Sequence, residues 1–355
     1  MRALVYGDSA PASGGWCYAE TLREMGHEVS IVRDDVGLES YRSSLARRLY
    51  RKLLKRVKGS DRLKHAGLLL AEAERFQPHV IIVLKGLHLS HADVSALGRD
   101  QRWVCNINHD DFFSANPNNR SQIQRAAIPA YDFIFTTREV NVEEVRPLNS
   151  KVEFFSFAYY PRIHHPVDIP PNEEAKWNCD VVFVGTYERP RAALLEHLVR
   201  TTKVKLVIHG SQWGKLSRNS PLRKCVRSSD LRFDDLSKAI GGAGVALGFL
   251  RKENRDDYTQ RTFEIPACGG VFLAERTDRH SGYYSEGIEA EFFDPDSVSE
   301  LGEKIRLLLG DAEHREGIRK AGHEALLRGK HTYKDRLERL LQVYYESMRA
   351  DQQRG

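Results

Sequence analysis

Short β-branched runs recur along the chain at LVYG (4–7), VSIV (29–32), HVIIVL (79–84), WVCNIN (103–108), YDFIFTT (131–137) and VEFFSF (152–157). Between them lie segments of helical composition, such as Tyr18 to Met25, which Gly26 closes before the next run. Strands alternating with helices predict a parallel sheet covered on both faces. Near HHPVDIPPNEEAK (164–176) the pattern breaks: three prolines among polar residues predict a linker. A second series then starts, with CDVVFVG (179–185), VKLVIHG (204–210), VALGFL (245–250) and GVFLAE (270–275). The last 40 residues or so read as charged helix packing back across the junction.

The expected architecture is therefore α/β, with two Rossmann-like domains. Residues 1–163 form the first, 164–176 the linker, 177–330 the second and 331–355 a C-terminal helix. A length of 355 residues agrees with two cores rather than one. No run approaches the roughly 18 apolar residues of a membrane span, and Met1-Arg2 leads straight into a strand, so no secretory leader is expected. The five cysteines are scattered and never spaced C-x-x-C, which disfavours a disulfide framework or zinc knuckle and fits a reducing cytoplasm.

Charge adds one local feature. From Tyr41 to His65 ten Lys/Arg face one acid, Asp61, giving this stretch +9 and leaving −4 for the rest of a +5 chain. Tyr41, Leu45, Leu49, Leu53 and Val57 recur every four residues, and Arg47, Arg48, Arg51, Lys52, Lys55, Arg56 and Lys58 fill the gaps. That is a basic amphipathic helix, suited to an anionic membrane surface at the inner face or simply to a domain helix with a solvated exterior. Nucleic acid is disfavoured, because no set of stacking aromatics accompanies it.

Candidate chemistry concentrates in the second half. In GTYERPRAALLEHL (185–198), Arg189 and Arg191 follow a strand, at the sheet edge where open α/β folds bind ligands. In VIHGSQW (207–213), Gly210 permits close backbone approach and His209 or Trp213 could flank a base; a tight turn explains Gly210 equally well. In RKENRDDYTQRTFEIPACGGVFLAE (251–275), a helix is expected from near Asp257–Thr259, including Tyr258, with Arg261 and Glu264 on one face and Gly269-Gly270 at its end. Its first amides and Arg261 suit a diphosphate, and Glu264 suits ribose hydroxyls. The alternative is an internal Arg–Glu pair.

In the first half, His109-Asp110-Asp111 follows a strand and supplies candidate bases for an acceptor hydroxyl, with Asp8 second. Asp110 and Asp111 serve equally as turn or cap residues. His88 and His91 also follow a strand and fit a surface loop as well. Asp294-Pro-Asp296 has the Asp-x-Asp form of metal-dependent transferases, but it precedes a helix start, where a turn and cap is the favoured reading, and no metal or other cofactor is expected.

RTFEIPACGG, preceded by FVGTYERPR and IHG-x-x-W and followed by EGIEAEFFDPDSVSEL and HTYKDR, resembles the CgeB-like glycosyltransferases of the spore-maturation type, within the GT-B fold. HDDFFSANP and YDFIFTTREVNVEEVRPLNSKVEFFSFAYYPRIHHP resemble the accompanying amino-terminal domain. The resemblance covers most of the chain and is strongest over 179–336. It implies two domains facing each other across a donor-binding cleft, and a nucleoside diphosphate sugar as donor substrate. It also implies a glycan or lipid-linked hydroxyl acceptor, as in polysaccharide biosynthesis. Glu264 matches the second acid of a Glu-x7-Glu pattern that holds the ribose. Asp256 stands where the first Glu would hold the donor sugar, a departure from the pattern, and Asp257 competes with it. Arg261 and Arg191 match cations for the diphosphate. Competing readings are an epimerase or hydrolase of the same fold and a non-catalytic nucleotide-sugar binder. A nicotinamide oxidoreductase is disfavoured because GDSAPASGG lacks G-x-G-x-x-G.

Overall fold

The computed structural model describes residues 1–34, 58–114, 121–231 and 233–353. Most of the basic stretch, including Tyr41, Leu45, Leu49, Leu53, Val57 and the arginines among them, lies outside the described residues. The chain divides into two compact units: Met1–Ser156 with Glu253–Arg255 and Tyr333–Gly355, and Phe157–Lys252 with Asp256–Thr332.

Among the described residues, the sheet of the first unit has six parallel strands. They are β1 (Arg2–Gly7), β2 (Glu28–Arg33), β3 (Val80–Leu84), β4 (Trp103–Asn108), β5 (Phe133–Thr136) and β6 (Val152–Phe154), in the order β2-β1-β3-β4-β5-β6. β3 is buried along its whole length, as an uninterrupted Val/Ile/Leu run demands of a central parallel strand. Leu69 and Ala73 of the helix Lys58–Phe76 pack with Leu4, Ile81 and Val83 on one face. The C-terminal helix Tyr333–Gln352 belongs to this unit. Tyr333 meets the Tyr18 ring edge-on at 4.8 Å. Arg339 grips the Glu153 carboxylate at 2.6 and 2.9 Å, and Arg336 donates to the Ser156 carbonyl at 3.0 Å.

The second unit repeats the plan with β7 (Cys179–Val184), β8 (Leu206–His209), β9 (Val226–Ser228), β10 (Ala243–Gly248), β11 (Phe272–Glu275) and β12 (Glu291–Phe293). Their order is β12-β11-β10-β7-β8-β9, again all parallel. β9 and β12, which the sequence pattern did not show, are three-residue strands at the two edges. Residues 164–176 lie inside this unit as a largely exposed segment anchored at a few points. His164 is buried, Ile169 sits where a side chain at Gly242 would go, and Pro166 lies beside Gly269.

Candidate donor site

In a parallel sheet all strands end on one edge, and the second unit places Glu188, Arg191, Arg251, Arg261 and Glu275 there. β7 ends at Val184, and the loop Gly185–Glu188 leads into the helix Arg189–Thr201, whose first turn carries Pro190. Arg189 is exposed and Arg191 is buried. Arg191 Nη2 donates to the Phe249 carbonyl just beyond β10 at 3.3 Å, and its guanidinium lies 5.9 Å from the centre of the Phe183 ring. Glu188 is 3.6 Å from Arg191 Nη1 and 2.8 Å from Arg251 Nε, so one carboxylate serves two guanidinium groups. Burial, more than any neighbouring charge, holds the Arg191 pKa below its ordinary value. The Arg191 Nε atom is buried and has no hydrogen-bond partner among the described residues. Glu275, ending β11, accepts the Leu250 N–H at 3.0 Å, and burial raises its carboxyl pKa.

The helix Arg261–Ala267 completes the edge. It begins at Arg261, later than the sequence suggested, and the Arg–Glu pair three residues apart is formed. Arg261 Nη1 binds Glu264 Oε2, while Arg261 Nε donates to the Val184 carbonyl at 3.1 Å. Arg261 is thereby fixed at the carboxyl end of β7. Glu264 is buried, and its Oε1 lies 3.2 Å from His164 Nε2.

Other expected donor residues are placed differently. Gly269-Gly270 follow the far end of that helix, whose seven residues span about 10 Å at 1.5 Å per residue. They lead into the amino end of β11, at the opposite edge of the sheet from Arg261 and Arg191. Gly269 has φ +70 and ends the helix, and a side chain at Gly270 would run into Ile240 at 2.4 Å. Gly210 has φ +140, and a Cβ there would lie 2.0 Å from the Gly185 carbonyl oxygen, so packing of two backbone segments already demands glycine. Trp213 is buried, donating to the Gly185 carbonyl at 2.9 Å and packing on Phe183 and Tyr187. It is a core residue and cannot flank a base.

Tyr258 is likewise buried, its hydroxyl accepting the Phe157 N–H at 3.2 Å and its ring among Phe157, Phe263 and Tyr283. It packs the core beneath the edge and has no exposed face for a donor. His209 is buried at the end of β8, with Nδ1 2.8 Å from Ser228 Oγ and its pKa lowered to about 4, chiefly by burial. Asp256 closes a turn with Arg251, its N–H on the Arg251 carbonyl at 3.2 Å and its Oδ2 accepting the Arg251 N–H at 3.3 Å. Asp257 pairs with Arg279 at 3.3 Å. Sequence reasoning did not find His164, Arg251 or Glu275.

The acceptor-side candidates lie in the first unit after β4. Asp111 is fully buried. It receives Arg255 Nε on Oδ2 at 2.6 Å, and Arg255 Nη2, the Asn141 amide and the Phe113 N–H on Oδ1 at 2.7, 2.8 and 2.8 Å. Burial pushes its carboxyl pKa up, but Arg255, Asn141 and the Phe113 N–H outweigh it, and the net direction is down. With both oxygens engaged by a guanidinium, Asp111 is a structural ion-pair residue and a poor proton acceptor. Asp110 is half-buried, with Oδ2 2.5 Å from Lys85 Nζ. His109 Nε2 is 3.3 Å from the Tyr18 hydroxyl, and burial lowers the His109 pKa to about 4, leaving a neutral imidazole at neutral pH. Asp8 accepts the Ala10 N–H at 2.8 Å in the loop after β1. His88 stacks on His65 with ring centres 5.7 Å apart, and His91 approaches Ser95.

Asp294 Oδ1 accepts the Asp296 N–H at 2.9 Å, Asp296 pairs with Lys252 at 3.2 Å, and Ser297 caps the helix Val298–Gly310. These are turn and cap roles. Among the described residues no helix is long and apolar enough to cross a membrane.

Residues 189–342 match the family model described as glycosyl transferase-like. That stretch includes Arg191, Arg251, Arg261, Glu264 and Glu275. No curated protein matches the chain significantly. Among solved structures, a sucrose-phosphate synthase from Thermosynechococcus elongatus superposes with TM-score 0.68 at 12% identity, covering 99% of this chain and 100% of its own. HepE of Anabaena, in complex with UDP-glucose, gives TM-score 0.66 at 10% identity over 98% and 100%. A putative UDP-N-acetylglucosamine 2-epimerase from Listeria monocytogenes gives 0.55 at 11% over 92% and 94%. At such identities the likeness establishes the fold and no more. Residues 189–342 thus match a glycosyl transferase-like family model, and the chain as a whole has the GT-B fold of two Rossmann-like units.

Proposed function

We propose that this protein transfers a sugar from a nucleoside diphosphate sugar to a hydroxyl acceptor. The observation that carries the proposal is Arg261, tied to the Val184 carbonyl at the carboxyl end of β7 and paired with the buried Glu264. Cleaving the sugar–phosphate bond leaves negative charge on the departing nucleoside diphosphate and positive character on the sugar. Fixed cations at the leaving group are therefore the main electrostatic requirement. In this reading Arg261 and Arg191 stabilise the diphosphate, with Arg189 at the exposed rim, and Glu264 accepts from the ribose. Asp256 is assigned to the donor sugar. No metal or cofactor is required, because the arginines carry the charge. The fold likeness to a structure holding UDP-glucose supports a nucleotide-sugar donor.

On the acceptor side, His109 and Asp110 are the proposed proton acceptors. Asp111 is left out, since Arg255 occupies its carboxylate. The finer assignment is a CgeB-like hexosyltransferase of polysaccharide biosynthesis, with a glycan or lipid-linked acceptor. It would work in the cytoplasm, at the inner membrane face if residues 41–65 engage anionic lipid. The test is product analysis with a panel of sugar nucleotides and saccharide or lipid-linked acceptors. Acceptor-dependent release of the nucleoside diphosphate with a glycosylated product supports transfer. Isomerised or hydrolysed donor without acceptor supports the second reading, an epimerase or hydrolase, which the fold likeness to the Listeria protein keeps in view.

A further inference from the structure

We propose that His164 is a positioning residue of the donor site, orienting the Glu264 carboxylate so that it presents two acceptor directions to a vicinal diol, the 2′ and 3′ hydroxyls of a ribonucleotide. The inference rests on the donor-site reading above and deepens it.

The tautomer of His164 is fixed by its surroundings. The Tyr160 N–H donates to Nδ1 at 3.0 Å, so Nδ1 is the acceptor and the ring proton sits on Nε2, 3.2 Å from Glu264 Oε1. Burial foremost, then the Arg261 charge, lowers the His164 pKa against the opposing pull of Glu264, which keeps the ring neutral. Glu264 is thus held by two different donors, Arg261 on Oε2 and His164 on Oε1. Each carboxylate oxygen can accept two hydrogen bonds, so each retains one acceptor direction. Two adjacent hydroxyls are the ligand chemistry that two such directions match. Arg261 already pairs the carboxylate with one cation; a neutral donor at His164 orients the second oxygen without adding another charge.

The ring is itself anchored. The His164 and Ile163 N–H groups both donate to the Tyr160 carbonyl, at 2.8 and 2.9 Å, forming one tight turn. The Ile163 carbonyl accepts from Ser237 Oγ at 2.9 Å, tying that turn to the helix Asp234–Gly241. Side chains of His164 and Glu264 are each only 5% exposed, so without its donor Oε1 would be a buried acceptor lacking its protein partner, with Arg261 alone setting the carboxylate's orientation.

Two substitutions separate positioning from packing. An Asn amide reaches the place of Nδ1 and a Gln amide that of Nε2, so His164→Asn keeps an acceptor for Tyr160 while His164→Gln keeps a donor for Glu264. Calorimetry compares UDP, GDP, ADP and CDP and the 2′-deoxy form of the tightest binder, with melting curves to verify folding. The wild type is expected to prefer the ribo form by about tenfold, His164→Gln to keep that preference within about threefold, and His164→Asn to lose it along with about tenfold in affinity for the ribo form. Retention of the ribo preference in His164→Asn overturns the proposal, as does its loss in a folded His164→Gln, or a wild type that binds both sugars equally. Equal weakening of ribo and deoxy forms in both variants assigns His164 a structural role only. If the wild type binds none of the four nucleotides, the donor-site reading itself fails.

Discussion

Arg255 and Asp111 stand 144 positions apart in the chain and form a two-point ion pair inside the first unit, Nε on Oδ2 at 2.6 Å and Nη2 on Oδ1 at 2.7 Å. Arg255 also reaches both Glu144 oxygens, at 2.7 and 2.8 Å. The short segment Glu253–Arg255 is held in that unit by these bonds, by Asn254 and by Ser114 on the Glu253 carbonyl at 2.6 Å. Removing the guanidinium leaves a buried carboxylate with weaker partners. Arg255→Met should lower stability by about 1–3 kcal/mol, less than the roughly 3–5 of a fully buried pair because Arg255 keeps 38% exposure. The pH sign follows from the depressed Asp111 pKa. Its contribution is present above the unfolded value, about 3.9, and is lost as pH falls through the folded value. Urea unfolding at pH 7 and pH 3 should show that acid loss reduced in Asp111→Asn; an unchanged loss counts against this account.

For the donor site, Glu264→Ala and Arg261→Ala should each weaken nucleoside diphosphate binding by about 1.5–3 kcal/mol, as expected for a lost charge-assisted hydrogen bond. Circular dichroism should show the fold retained. Calorimetric affinities equal to wild type in both variants would exclude the site.

How far the sequence carried these conclusions depended on distance along the chain. Runs such as Val80–Leu84 and Cys179–Val184 announce central parallel strands because both of their faces are covered. Val226–Ser228 and Glu291–Phe293 do not, because three residues at a sheet edge carry no periodicity. The Arg261–Glu264 pair was legible from helical spacing. His164 was not, because its partner lies on a distant helix and its surroundings, proline-rich and polar, look like a linker. Gly269-Gly270 misled because neighbours in sequence occupied opposite ends of one helix. Trp213 and Tyr258 misled because composition does not say which way an aromatic ring faces. Asp111 looked like a base until Arg255 was seen on its carboxylate.

Assigning the leaving-group charge to Arg261 and Arg191 predicts that turnover persists in excess chelator. Assays with and without EDTA, measuring released nucleoside diphosphate, check this. Activity abolished by EDTA and restored by Mg²⁺ or Mn²⁺ would overturn it.

The +9 stretch from Tyr41 to His65 predicts binding to anionic vesicles. Attraction of about 1 kcal/mol per basic residue near the surface should fade between low and physiological salt. Replacing Arg47, Arg48, Arg51 and Lys52 together by Ser should abolish binding and leave nucleotide affinity unchanged. Equal co-sedimentation with neutral and anionic vesicles would overturn the membrane reading of this stretch.

Acid sensitivity of the second unit should trace in part to His280. The ring is 1% exposed, with Nδ1 2.7 Å from the Glu275 carbonyl oxygen and Nε2 3.0 Å from Thr262 Oγ1. A carbonyl only accepts, so Nδ1 carries the proton and Nε2 is left to accept from the Thr262 hydroxyl. Burial is the chief reason that the His280 pKa falls to about 4, the Glu275 carbonyl opposing it. Between pH 6.5 and 4 the unfolded chain therefore binds a proton that the folded chain refuses. Stability from this residue is complete above the unfolded value and is lost as pH falls toward the folded one. From pH 8 to pH 5 that amounts to about 2 kcal/mol. His109 and His209, also lowered to about 4 by burial, act in the same direction. Denaturant unfolding at several values between pH 8 and 5 should give a slope that is shallower in His280→Gln, whatever that substitution costs at pH 8. A slope identical to wild type would mean that protonation of His280 is not what acid exploits.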